Sequence, residues 1–408
     1  MMSRHIKIAL LALLTMLFAA PAMLAQVAVR GETVYTMSGP PIKDGVVLIR
    51  DGKIERVGAA SQVTIPAGYR TLTAKVVTPG LIDAHTVVGL SGYLNQPGDQ
   101  DQLETSAPIQ PELRAIDAYN ARETLVGYLR SFGITTIHTG HGPGALVSGQ
   151  TMIVKTRDGA TEASVLNPAS MIAVTLGNSG LAQAGRSPGT RSKAIAMLRA
   201  ELIKAQEYQA KMDSAPADKK PERNLRLDSL ARVIKGEIPL LVTAHRATDI
   251  LSALRVAKEF RIKIVLDGGA EAYLLIDQLK AAGVPVIIHP TMARAGGDTE
   301  NLSMESPATL LKAGIPIALQ SGFEGYVPKT RVVLFEASAA ASNGLSFEEA
   351  LAAVTIGAAR ILSVDKRVGS LEVGKDGDLA LFDGDPFEFT THVIAVVIDG
   401  LLVSQEVR

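Results

Sequence analysis

TPGLIDAHTVVGL, residues 78–90, is rich in strand formers and closes its apolar run on a single histidine, His85. Side chains alternate along a strand, so a His-x-His ending sets two imidazoles on one face. That spacing is a common way to present two nitrogens to one metal ion. Here position 87 is Val87, and the second nitrogen is missing. Whether that gap is isolated decides the functional reading.

Outward from this stretch, apolar strand candidates alternate with helical ones. The strands are LIDAH, ITTIH, TMIVK, SMIAVTL, IPLLVTAH, IKIVLD, VPVIIH and IPIALQ. Short and nearly continuous apolar runs suit strands buried on both faces. Between them lie amphipathic patterns such as ARETLVGYLRSFG, ATDILSALRVAKEF and AEAYLLIDQLKAAG. A βα alternation repeated eight times predicts a (β/α)8 barrel of the TIM type, here over 79–368. The charged segment at about 189–236 reads as an outer helical insertion, a solvated helix pair. Residues 26–78 and 369–408 have another character: short strands cut by Gly and Asp turns. Two such pieces at opposite ends of the chain predict one small composite β-sandwich domain. The fold class is therefore α/β.

Composition narrows the function. The chain has 408 residues, 47% of them hydrophobic, with 41 Lys+Arg balanced by 41 Asp+Glu. A net charge of zero points to neither nucleic acid nor an anionic surface. With no Cys there is no disulfide, thiolate nucleophile or Cys-based metal site. Residues 1–25 read as a signal peptide: MMSRHIK is basic, IALLALLTMLF is apolar, and small residues at Ala20 and Ala22 set a cleavage site near Ala22 or Ala25. The apolar run is short for a spanning helix. A periplasmic or secreted protein with no stable membrane anchor after cleavage is expected.

The run VVTPGLIDAHT (76–86) resembles the first barrel strand of the amidohydrolase superfamily, nearest to its imidazolonepropionase-like branch. GITTIHTGHGPGALVSGQTMIVKT (133–156), IPLLVTAHRATDI (238–250), VLDGGAEAY (265–273) and VGSLEVGKDGDLALFDGDP (368–386) carry the same resemblance, over nearly all of the mature chain. It implies a metal site at the barrel mouth. Two histidines come from strand 1, one from strand 5, one from strand 6, and an aspartate from strand 8. The metal activates a water and the aspartate moves its proton. Carried over position by position, only His85 is retained. The other positions fall on Val87, Thr243, Gly268 and Gly322, with Ser321 one residue before the last. Valine and glycine offer no donor atom, and a catalytic zinc needs about three protein ligands plus water.

Five of the seven histidines lie in or near strand ends: His85, His138, His141, His245 and His289. They are candidates for hydrogen-bonded pocket residues or, alternatively, for a relocated metal site. His245 keeps the parity of Thr243 but lies roughly 6–7 Å further along the strand. Lys155, Arg246 and Ser321 are further pocket candidates, Arg246 pairing with a substrate carboxylate or with a neighbouring acid. The loop GHGPGALVSG (140–149) reads as a turn shaping the pocket rim, and GKDGD (374–378) has no catalytic role. The expectation is an amidohydrolase-family protein, nominally a hydrolase of non-peptide C–N bonds, that has lost metal-dependent catalysis. Two alternatives stay open. One is an active hydrolase with a rearranged His-based site holding zinc or another divalent metal. The other is a non-catalytic binding or partner subunit of an active homologue. No tightly bound cofactor is expected unless the site is rebuilt. Expected partners are a small-molecule ligand in the barrel mouth and a homo- or hetero-oligomeric copy of an amidohydrolase homologue.

Overall fold

Turn residues divide the N-terminal segment into β1 (Val27–Val34), β2 (Ile42–Arg50), β3 (Lys53–Ala59) and β4 (Arg70–Pro79). Between β2 and β3, Asp51 and Gly52 take φ of 55° and 78°, the pair of positive values that a two-residue hairpin requires. The computed structural model describes residues 26–94, 96–182, 185–323 and 332–408. The expected signal peptide lies outside the described residues. Among the described residues no helix is long and apolar enough to cross a membrane.

Ten strands follow in the middle of the chain: β5 (Leu81–Thr86), β6 (Ile134–Thr139), β7 (Val147–Gln150), β8 (Met152–Lys155), β9 (Val165–Asn167), β10 (Ile172–Thr175), β11 (Leu240–Ala244), β12 (Ile264–Gly268), β13 (Val286–Ile288) and β14 (Ile317–Leu319). They form two arcs, β5-β6-β8-β9 and β14-β13-β12-β11-β10-β7. The arcs meet at two seams. At one, the Gly322 N–H donates to the His85 carbonyl at 3.1 Å; at the other, Thr151 exchanges backbone hydrogen bonds with Met171 and Ser170. The result is a TIM-type barrel in which one strand is reversed.

That reversed strand is Val147–Lys155. It is antiparallel to β6 on one side and to β10 on the other. The uniform βα alternation read from the sequence therefore breaks after β6. The link GHGPGAL (140–146) holds seven residues and no helix. A parallel crossover needs a dozen or more residues, so this link only permits the chain to turn back.

The barrel interior follows strand parity. Ile82, Ile153, Leu241, Val265, Ile287 and Ala318 form one buried cluster with Ala358, Leu362 and Val364, which close one end. The helix pair Arg191–Ser214 and Leu225–Ile234 joins β10 to β11. It is not a solvated insertion: Ala194, Leu198, Leu202 and Ala205 make a helical stripe, and with Leu230 and Val233 they enter the main core.

The chain ends with β15 (Leu379–Phe382), β16 (Val393–Ile398) and β17 (Leu401–Ser404). These join the N-terminal strands in one seven-stranded sheet, β17-β16-β15-β4-β1-β2-β3. In place of two stacked sheets, a single continuous one folds over its own apolar cluster, with Val29, Val47, Leu381 and Val397 inside. Alternate residues of the same strands, Ala380, Phe382, Val396 and Ile398, face the main core instead. Period-2 alternation thus lets β15 and β16 bind the sheet domain to the barrel.

Candidate functional site

One layer above the interior cluster, parity carries Thr243, Asp267, His289 and Gln320 inward from β11, β12, β13 and β14, each two residues beyond a core side chain. These positions lie at the C-terminal ends of parallel strands, where barrel sites form. They line a cavity of about 340 Å³ together with His85, Val87, His245, Gly268 and Gly322. All five positions of the implied metal site therefore surround one mouth. Phe323, Pro143 and Pro290 complete much of the wall, Pro143 coming from the glycine-rich loop.

Asp267 is the centre of the site. Its Oδ1 accepts from His85 Nδ1 at 3.0 Å and from Gln320 Nε2 at 2.7 Å, and its Oδ2 accepts from the Thr243 hydroxyl at 2.6 Å. Burial pushes this carboxyl up, but the His85 charge and the hydrogen bonds from His85, Thr243 and Gln320 outweigh burial and hold it at about 2. Burial alone would lower the His85 imidazole; the Asp267 charge reverses this and raises it. The two form a buried, hydrogen-bonded pair. Beneath them, burial pushes Asp83 up to about 6, although the Ser321 and His85 N–H groups donate to its Oδ1 at 3.0 and 3.3 Å.

The implied metal does not fit this arrangement. His85 keeps only Nε2 for an ion, its Nδ1 being on Asp267, and the Thr243 hydroxyl is committed to the same carboxylate. Val87, Gly268 and Gly322 have no donor. Gly268 has φ of 84°, and a Cβ built on it would fall 2.5 Å from the His245 ring. Gly322 has φ of 70°, with a Cβ 2.7 Å from the Pro290 ring. The space for a strand-6 ligand is thus filled by the imidazole of His245. Among the described residues, no group of three or more His, Asp or Glu side chains is arranged to hold a metal ion.

Several pocket candidates lie elsewhere. His138 has both ring nitrogens engaged at 2.7 Å, one with the Ala84 carbonyl and one with the Thr151 hydroxyl, and burial lowers it to about 3. His141 packs over Gly149 outside the cavity lining, lowered to about 4 by burial. Lys155 sits at the other end of the barrel, because its strand is reversed. Its Nζ bonds Asp376 at 2.7 Å, Asp378 at 2.8 Å and Asp399 at 2.5 Å. GKDGD (374–378) is thus a structural clamp. Arg246 pairs with Asp298 and Glu300, each at 3.1 Å. Ser321 is tied by its hydroxyl to Thr86 at 3.2 Å.

The cavity keeps His245 and His289. Burial lowers both, His289 to about 4. His85 Nε2, His245 Nδ1 and His289 Nε2 are buried with no hydrogen-bond partner in the protein. Asp267, Gln320 and Asp83 were missed by sequence reasoning. For Asp267 and Gln320 a signal existed, since each stands two places after an interior residue of its strand.

The Amidohydrolase family profile matches residues 90–404. The imidazolonepropionase of Rhizorhabdus wittichii is 26% identical over 391 residues, covering 87% of this chain and 92% of that protein. Amidohydrolase tasK of Hapsidospora irregularis is 24% identical over 401 residues, covering 87% of this chain but 39% of that longer protein. Among solved structures, an amidohydrolase from Thermotoga maritima MSB8 superposes with a TM-score of 0.86 at 28% identity, over 93% of this chain and 100% of that one.

Proposed function

The chain belongs to the amidohydrolase family, on its imidazolonepropionase-like branch, and from that premise we propose that it is a ligand-binding member that no longer hydrolyses C–N bonds with a metal-activated water. The observation that carries this reading is the imidazole of His245 lying where a ligand at position 268 would stand. The site is packed around the hydrogen-bonded His85–Asp267 pair, beyond the loss of single donors. His85, Thr243 and Gln320 satisfy both oxygens of Asp267 without an ion. Restoring one position leaves that network in place. The cavity persists, and its unpartnered imidazole nitrogens suit a small polar ligand, since a buried unpaired nitrogen costs about 1–3 kcal/mol.

The unpartnered nitrogens of His245 and His289 leave a second reading, a hydrolase with a rearranged metal site that draws on these histidines. Metal analysis of protein purified without chelator separates the two. The proposal expects far less than one transition metal per chain, and no turnover of N-acyl, cyclic amide or dipeptide substrates above background. About one tightly held metal per chain, released in His245→Ala or His289→Ala, sinks the proposal in favour of the rearranged hydrolase.

A further inference from the structure

At the end of the barrel opposite the mouth, the segments leading into β11, β12 and β13 border a groove of about 860 Å³. Its opening follows from two helices of unequal length. Ala247–Phe260 has 14 residues, whereas its neighbour Ile276–Ala282 has 7. The shorter one runs out in Ala281, Ala282 and Gly283, which carry almost no side chain to fill the gap. Leu251, Leu254 and Ile262 supply apolar wall, and Arg255, Lys258 and Lys263 supply charge at its edge.

Among the described residues, none of these three cations is paired with an acid. Arg255 Nη2 donates to the Ser252 hydroxyl at 2.8 Å, and Lys263 Nζ to the Gly236 carbonyl at 3.3 Å, both neutral groups. One carboxylate, Glu237, also lines the groove and pairs with Arg232 at 3.5 Å, while Glu259 beside it pairs with Arg199 at 2.7 Å. In a chain with no net charge, this leaves a local excess of positive charge along an apolar groove. Arg255 and Lys258 stand three residues apart on one helix, so they face the groove together.

We infer that this groove is a second binding site, separate from the mouth, and that its ligand is a small amphipathic carboxylate. The apolar body lies against Leu251, Leu254 and Ile262, and the carboxylate lies between Arg255 and Lys258. A groove of this size falls within the range of small-molecule sites, about 300–1,000 Å³. Electrostatics select the sign of the head group, and the apolar wall selects the body.

Titration calorimetry of the purified protein with dodecanoate, below its micelle concentration, tests the site. Binding of one dodecanoate per chain is expected, with dodecyltrimethylammonium giving no saturable isotherm. Arg255→Glu combined with Lys258→Glu changes only exposed side chains and should weaken dodecanoate about tenfold or more. Ala281→Trp, which fills the groove with an apolar ring, should weaken it comparably. Failure to saturate, equal affinity for the cationic surfactant, or unchanged affinity in both variants overturns the inference. So does affinity lost in His289→Ala but kept in the groove variants, which would place the ligand at the mouth.

Discussion

Glycine at position 268 does two things that no other residue can do there. It adopts φ of 84°, and it leaves the volume into which the His245 ring packs. Gly268→His must therefore strain the backbone and displace His245. We expect it to destabilise the protein by roughly 2–3 kcal/mol, read as a shift in the urea midpoint, with no gain of bound zinc. Adding His245→Ala should recover part of that loss, because it empties the contested space; no recovery would mean that backbone strain alone is responsible. Val87→His adds an imidazole beside His85, but positions 268 and 322 still offer no donor and the Thr243 hydroxyl stays committed to Asp267. Zinc content should stay unchanged in that variant, and stoichiometric uptake would contradict the repacked-site reading.

At the scale of single elements, the reversed strand Val147–Lys155 has the largest consequence. Its direction delivers Lys155 to the seam with the sheet domain, where three aspartates surround its Nζ. Asp376 is also met by Arg367 at 2.8 Å, and Asp399 by Arg157 at 2.8 Å. Asp378 is fully buried and relies on Lys155 for a cation; burial raises its carboxyl and the lysine works against that rise. Lys155→Met should cost about 3–5 kcal/mol, the usual effect of stranding a buried charge. Thermal denaturation of Lys155→Met beside Lys155→Met/Asp378→Asn checks the cause. The second change should restore stability if the stranded carboxylate is the problem, and should lower it further if packing is.

Across the whole molecule, buried neutral histidines set the response to acid. Burial lowers His138 to about 3, and His141 and His289 to about 4. In the unfolded chain each takes a proton below about 6.5, so below that pH the unfolded state binds more protons and stability falls as pH drops. Each group contributes about 1.4 kcal/mol per pH unit until its folded value is reached. Asp83 acts the other way. Raised to about 6, it holds a proton in the folded state that the unfolded state lacks, and so it offsets one histidine between roughly pH 6 and 4. Asp267, held at about 2, adds its own loss only below roughly pH 4. The urea midpoint should therefore decline from about pH 6.5 downward, before ordinary carboxylates titrate. A flat midpoint between pH 7 and 5 would mean that these imidazoles are not held neutral by burial.

Local pattern was enough for much of this. Strand and helix periods and the Gly-Asp turns marked the elements of a barrel, because the side a residue faces within an element is set by its immediate neighbours; the resemblance carried by runs such as VVTPGLIDAHT then implied that His85, Val87, Thr243, Gly268 and Gly322 share its mouth. What pattern could not supply was direction and meeting. A strand has the same period whichever way it runs, so only the short link at 140–146, acting within the assembled sheet, sent Lys155 to the far end. The ring of His245 came to rest on Gly268, and Asp267 came to hold His85, through contacts between residues 23 and 182 positions apart in sequence. No local property of either partner encodes such contacts, which exist only once β5, β11 and β12 close around one barrel mouth and exclude water from the space between them.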